Sequence, residues 1–408
     1  MNVLPPELAA PPEAPRSVLF FTADVARQSG ASYALRETVR RMAATGRRAI
    51  VVVPDIAASR ELFPEKEFDV VYLPIRRLRL SSDPRVQAAW IWSSARTVRR
   101  LTRIIRRERV ELVHFNEIVD FIAGVAARAA GVPVVCHVRA DGIAGVVRPL
   151  LARIISWTAD AIIVPSRSTA AWMTEALPRL GRKIRVVHDH AFDIREYRSD
   201  CSPAAVRREL GLGPEKRLVL LISKLMIPKG HLLFIRAAER VCAARGDVAF
   251  AIVGGAVDGH EREAAEIAEA ARALQATGAL RLLGNRRDLE GLYAASDVVV
   301  HCPVYPDTFP TVVLLGMLMG KPVIGTAIGG IPEQIKDGVT GVLVAPGSPE
   351  ALAAAVLDLL NDREKAGRLG RAAMEETRRG YAPEAQARAL SEIYVDACRA
   401  VRPGAACA

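Results

Sequence analysis

Leu218-Val219-Leu220-Leu221-Ile222-Ser223-Lys224-Leu225-Met226-Ile227-Pro228-Lys229-Gly230 opens with a branched apolar run of strand length and closes on a short loop with two lysines. Helical spacing follows over Gly230–Arg245, and a second apolar run, Ala249–Val253, ends in Gly254-Gly255. A strand, a helix and a strand in this order make a parallel βαβ unit, since a hairpin would need only a tight turn.

The same alternation continues outward. Downstream, the spacing predicts helices over His260–Ala276, Leu289–Ala294, Thr311–Met319 and Pro349–Leu360, with strands at Leu280–Leu283, Val298–His301 and Val323–Gly325. A last helix is expected over Pro383–Val401. Upstream, Val18–Phe21, Ala49–Val53, Leu112–Phe115, Val132–Val138 and Ala161–Val164 read as strands, and Tyr33–Thr45 and Val86–Arg107 as helices. The expected class is α/β, with two doubly wound parallel sheets. A length of 408 residues suits two such domains. The expected division is 1–190, a connection 191–215, 216–380, and a helical segment 381–408 packing back toward the first domain. Ligands would then bind in a cleft outside the carboxyl ends of the strands.

The net charge of +11 is unevenly spread: residues 1–190 hold 29 Lys and Arg against 18 Asp and Glu. The excess is densest from Arg76 to Arg109, where eleven arginines meet only Asp83 and Glu108. Such a field calls for an anionic partner. A solvated helix face explains it, as does a basic face with Trp90 and Trp92 settling on anionic lipid. No recognition motif supports nucleic acid, which is not expected as a partner. The six cysteines lack paired spacing, and no secretory signal or membrane-spanning run is read in the chain, so a cytoplasmic protein is expected, with a peripheral place on the inner membrane face as one option.

Three motifs carry candidate chemistry. Lys224 and Lys229 flank a strand–helix corner, where ammonium groups and a helix N-terminus suit phosphate oxygens. Taken alone, solvated lysines at an ordinary corner explain this better. In His301-Cys302-Pro303-Val304-Tyr305-Pro306-Asp307-Thr308-Phe309-Pro310-Thr311, Asp307 either caps the coming helix or accepts hydrogen bonds from sugar hydroxyls. Gly325–Glu333 and Asp337–Gly341 are glycine-rich, which turn formation alone explains.

In this order the pieces closely resemble the donor domain of family 4 glycosyltransferases, retaining enzymes of the GT-B fold with two facing Rossmann-like domains and a cleft between them. The matching residues include Lys224 and Lys229, Leu283-Gly284-Asn285, Leu292–Val298, Asp307–Met317, Gly320–Ile324, Gly329–Glu333 and Asp337–Gly341. Residues 16–190 match more loosely, through Gly30-Ala31, Leu112–His114 and Pro133–Arg139.

The resemblance implies a nucleotide-sugar donor (UDP- or GDP-hexose), a glycan or lipid-linked acceptor, and a role in surface polysaccharide or glycolipid synthesis. It implies no metal and no other cofactor, and no Asp-x-Asp motif is present. Lys224 and Lys229 would hold the diphosphate, with Gly30, Ala31, Asn285, Arg286, Thr308, Phe309, Pro310 and Thr311 completing the donor site. Asp307 stands where the family has the first carboxylate of a Glu-x7-Glu pair, contacting the transferred sugar. Leu315 stands where the second would meet the ribose, a loss of about 1.5–3 kcal/mol per missing charged hydrogen bond. Leu315→Glu is expected to tighten donor binding without harm to the fold. His137 and Arg139 are catalytic candidates at a strand end, and His114, Asn116 and Glu117 are acceptor-side candidates. A catalytically silent relative, acting as a partner or glycan binder, is the competing reading, motivated by Leu315. A GT-B isomerase finds no matching acidic constellation.

Overall fold

The computed structural model describes residues 13–25, 30–76, 78, 83–139, 147–190 and 202–401. The chain divides into two units, Met1–His188 with Glu384–Ala408, and Asp189–Pro383. The first unit runs β1 (Ser17–Phe21), α1 (Gly30–Ala44), β2 (Arg48–Pro54), α2 (Ala57–Leu62), β3 (Asp69–Leu73), α3 (Pro84–Arg107) and β4 (Leu112–Asn116). It continues through α4 (Phe121–Ala130), β5 (Val134–His137), α5 (Arg148–Thr158), β6 (Ala161–Val164), α6 (Arg167–Ala176) and β7 (Ile184–Val186). All seven strands are parallel, in the order β3-β2-β1-β4-β5-β6-β7.

Strand alternation sends neighbouring side chains to opposite faces. Leu19 and Phe21 pack with Leu101 and Ile105 of α3, Ile122 of α4, Ile155 of α5 and Met173 of α6. Val18 and Phe20 face the other way, toward Leu35 and Val39 of α1. With both faces covered, β1 and β4 are buried along their whole length, which is why they read as unbroken apolar runs.

The second unit begins with α7 (Pro203–Glu209), followed by β8 (Arg217–Ile222), α8 (His231–Ala244), β9 (Val248–Val253), α9 (Glu261–Ala276) and β10 (Leu280–Leu282). Then come α10 (Leu289–Ala295), β11 (Val298–His301), α11 (Thr311–Leu318), β12 (Val323–Thr326), α12 (Ile331–Gln334), β13 (Val342–Val344), α13 (Pro349–Asn361) and α14 (Arg363–Gly380). Its parallel sheet has the order β10-β9-β8-β11-β12-β13. The expected connection 191–215 is shorter than supposed. Arg207 of α7 donates to the carbonyls of Ala295, Gly213 and Lys216, so α7 is part of the second unit. Residues 191–201 lie outside the described residues.

The final helix, α15 (Pro383–Val401), buries Leu390, Ile393 and Tyr394 on the β1 face of the first unit. Tyr394 Oη lies 2.7 Å from His114 Nδ1, a buried hydrogen bond closing a loop of 280 positions. Burial drives the His114 imidazole down to about 3, with the nearby Arg139 charge adding to it. Burial likewise lowers His231 of α8 to about 4, against the hydrogen bonds it makes to backbone.

A histidine kept neutral when folded binds protons more readily once unfolded, so stability rises with pH across the gap between the two values. The melting temperature is expected to fall steadily as pH drops from about 6.5 toward 4, as scanning calorimetry will show. Tyr394→Phe strands a buried imidazole nitrogen and is expected to cost about 1–3 kcal/mol in urea unfolding.

Candidate functional site

In an open parallel sheet, the loops leaving two adjacent strands diverge where the strand order reverses, and a crevice opens at their carboxyl ends. In the second unit that point lies between β8 and β11. The loop after β8 carries Lys224 and Lys229, and the loop after β11 carries Asp307.

Backbone bonds fix the lysine loop. Ser223 N donates to Val253 O, Leu225 N to Gly255 O, and Ile227 N to Glu263 Oε2 at 2.7 Å. Glu263 is itself held by His260. Val304 N donates to Pro228 O at 2.9 Å, stitching the two loops together. Gly230, at φ 82°, passes so close to Cys302 O that a Cβ would collide with it. The lysine loop can approach β11 only because residue 230 is glycine.

Two nitrogen donors converge on Asp307. Lys229 Nζ lies 2.6 Å and His301 Nε2 3.0 Å from the same oxygen, Oδ2. Burial alone would raise this carboxyl, but the Lys229 charge and the His301 hydrogen bond hold it well below the ordinary carboxylate range. Gly330 N donates to Asp307 O at 2.8 Å, and Gly329, at φ 63°, leaves no room for a Cβ against the Asp307 backbone. The acidic residue is thus clamped through side chain and backbone together. His301 was legible only as a polar end to an apolar strand, and nothing local marked it or Glu263 as part of the site.

The remaining residues expected here divide into two groups. Thr311 begins α11 after Pro310, whose carbonyl accepts from Gln334 Nε2. Asn285 lies against Gly255, at the edge reached by the lysine loop. Thr308 is buried, and Lys224 sits two residues past the end of β8. Phe309 faces the interior instead, packed with Leu314, Leu318 and Tyr381. The Arg286 guanidinium is held by Glu209 of α7 and by Asp288, with Nη2 at 2.8 Å and 2.6 Å from them, so it ties α7 to the sheet edge. Leu315 is only 3% exposed, so Leu315→Glu would bury a carboxylate; the expectation of an undisturbed fold is withdrawn. Several other motif residues serve the fold. Lys321 Nζ donates to the carbonyls of Ala294 and Ser296, Tyr293 Oη to Val312 O, and Asp337 accepts from Leu343 N.

In the first unit, Gly30 and Ala31 form the first turn of α1, whereas Ser29 lies outside the described residues. At the strand-order reversal between β1 and β4, Asp120 Oδ1 accepts from Ala23 N at 3.2 Å. Asn116 and Arg139 are buried, and Glu117 adopts φ 70°. His137 is fully buried with Nδ1 3.3 Å from Arg139 Nη2, and burial with the Arg139 charge keeps it well below its ordinary value. His114, expected on the acceptor side, has its ring in the core between Tyr394 and His137, where it fastens α15 and lines no open surface.

On α3, Arg96, Arg99, Arg100 and Arg103 are exposed and have no acidic partner among the described residues. Arg96 stacks over Trp92, which is 64% exposed beside exposed Ile91. Arg77 and Arg79 lie outside the described residues. No helix among the described residues is long and apolar enough to cross a membrane, and none of their His, Cys, Asp and Glu side chains gather in threes to hold a metal ion.

Residues 28–189 match the profile "Glycosyltransferase Family 4", and residues 204–376 match "Glycosyl transferases group 1". A D-inositol 3-phosphate glycosyltransferase of Corynebacterium kroppenstedtii is 29% identical over 205 residues, 49% of this chain and 45% of that protein. The chain thus spans about half the length of such relatives. The lipopolysaccharide core biosynthesis mannosyltransferase LpsB of Rhizobium meliloti is 24% identical over 237 residues, 58% of this chain and 65% of that protein. Among solved structures, Anabaena HepE in complex with UDP and glucose superimposes with a TM-score of 0.79 at 22% identity, covering 92% of this chain and 98% of that one. The two Rossmann-like units are those of the GT-B fold.

Gly329→Ala is expected to push Asp307 off the Lys229–His301 pair. Loss of stability, read as a melting-temperature drop of a few degrees, should accompany a raised Asp307 titration midpoint in carboxyl-carbon NMR.

Proposed function

Since the chain belongs to the glycosyltransferases defined by the family 4 and group 1 profiles that match its two halves, we propose that it transfers a hexose, with retention, from a UDP- or GDP-sugar to a glycan or lipid-linked acceptor. The observation that carries this reading is the Lys229–Asp307 pair at the carboxyl edge of the second sheet. A diphosphate leaving group needs a cation, and the departing sugar needs an acceptor for its hydroxyls. The pair supplies both within one contact. Lys224 and the N–H groups opening α11 add positive potential, so the leaving charge is met by groups already in place. No resident metal or cofactor enters the proposal. Asp307 orients the sugar, and the chemistry is positioning plus electrostatics. The UDP and glucose bound by HepE and the mannosyltransferase activity named for LpsB agree with a hexose donor.

Leu315 favours one alternative, a silent relative, because it gives the ribose no charged acceptor. The exposed arginines and Trp92 of α3 support a second element of the proposal, contact with an anionic membrane carrying the acceptor.

A thermal-shift screen of nucleotide-sugars followed by steady-state kinetics tests the reading. Lys229→Ala is expected to lower kcat/KM by roughly a hundredfold through both binding and turnover, and Asp307→Ala to act mainly on kcat. No shift and no turnover with any donor transfers the case to the silent relative. Co-sedimentation with vesicles containing phosphatidylglycerol is expected to weaken as salt rises and to be lost in an Arg96→Glu/Arg100→Glu/Arg103→Glu variant. Salt-independent binding defeats the electrostatic version.

A further inference from the structure

Asp307 is gripped by one oxygen only. Lys229 and His301 both reach Oδ2, and Oδ1 has no partner among the described residues. An ionised carboxylate only accepts, so the contact at 3.0 Å places the imidazole proton on His301 Nε2. Nδ1 is then the bare nitrogen; it is buried without a hydrogen-bond partner.

The two donors differ in freedom. His301 ends β11, paired in register with Gly325 of β12, and is 2% exposed. Its ring has two torsions and no space to swing. Lys229 sits in a loop on four flexible carbons, and its side chain is 29% exposed. An arriving diphosphate competes with Asp307 for the ammonium, and only Lys229 can move to meet it. Asp307 would then be a half-buried carboxylate stripped of its cation, free to rotate after the lysine, unless something else holds Oδ2.

We propose that His301 is a positioning residue that keeps Asp307 oriented, with Oδ1 directed to the sugar, while Lys229 passes from Asp307 to the donor diphosphate. This rests on the reading of Lys229 and Asp307 given above. It adds that the site has two states of one ion pair, and that the histidine makes the exchange affordable. Without the histidine, the whole carboxylate charge falls on Lys229, and the pair holds itself closed against the anion.

Inorganic pyrophosphate tests the exchange without any need for turnover. Its affinity, measured by calorimetry on the full chain, is expected to fall severalfold in His301→Leu and to recover in His301→Gln, which keeps an N–H donor of similar reach. In an Asp307→Asn background, where the carboxylate charge is gone, His301→Leu should have no effect on pyrophosphate. A loss that persists in that background means the substitution merely damages the fold, and the proposal fails. Imidazole nitrogen NMR should show the Nε2–H tautomer in the wild type; the Nδ1–H tautomer overturns the assignment. With an active donor in hand, His301→Leu should lower kcat by roughly tenfold or more, beyond its effect on donor KM, and His301→Gln should restore most of it. Turnover that ignores both substitutions overturns the positioning role. If the wild type turns over no donor, the functional reading falls alone, because the pyrophosphate cycle and the tautomer still decide whether His301 holds Asp307.

Discussion

An ammonium and a carboxylate 2.6 Å apart, Lys229 and Asp307, are the contact around which the second unit's loops are arranged. The carboxylate side chain is 15% exposed, and such a group is costly to leave unpaired. Each partner therefore constrains the other's loop. The backbone bond from Val304 to Pro228 holds the loops at the distance the pair requires, and Gly230 permits the approach. Gly329 and Gly330 close over the Asp307 backbone from the β12 side. Three strand ends, β8, β11 and β12, thus converge on one residue.

That convergence follows from topology. Parallel strands deliver all their carboxyl ends to one edge, and the reversal of order between β8 and β11 opens the space there. The rest of the unit keeps that edge rigid. Lys321 binds two carbonyls at the end of α10, and Asp297 accepts from Leu218 N where β8 begins. Gly370 of α14 packs so closely on Gly320 that only glycine fits, which fixes the turn leaving α11. Motif residues that look like ligand contacts in the sequence are partly this framework.

The parallel architecture was legible because fully buried strands are apolar on both faces, so Val18–Phe21, Leu218–Ile222 and Val298–Val300 stand out without context. β3 was not, because its exposed and half-buried pattern lacks such a run. α14 was missed for the opposite reason: it is dominated by charge and packs through Leu369, Gly370, Ala373 and Thr377. In the site, residue types were readable and partners were not. Lys229 meets Asp307 across 78 positions, and Arg286 meets Glu209 across 77. The first pairing joins two candidate site residues, while the second ties a candidate to α7. Nothing in local spacing separates those cases, since both are a basic residue in a loop after a strand.

The two units share a strand-order reversal and differ in what they place there. In the second, a full positive and a full negative charge neutralise each other, so an incoming anion must compete with a carboxylate before it can be held. In the first, burial drives the His114 and His137 imidazoles down and pushes Asp120 well above the ordinary carboxylate range, with the buried Arg139 guanidinium beside the histidines. Asp120 accepts from Ala23 N, so it positions the β1 loop by hydrogen bonding. The positive excess of the first unit is carried elsewhere, on the outer face of α3, where Arg96, Arg99, Arg100 and Arg103 remain solvated. The two reversals thus differ in kind: a compensated ion pair in the second unit, and buried polar groups around the Arg139 guanidinium in the first.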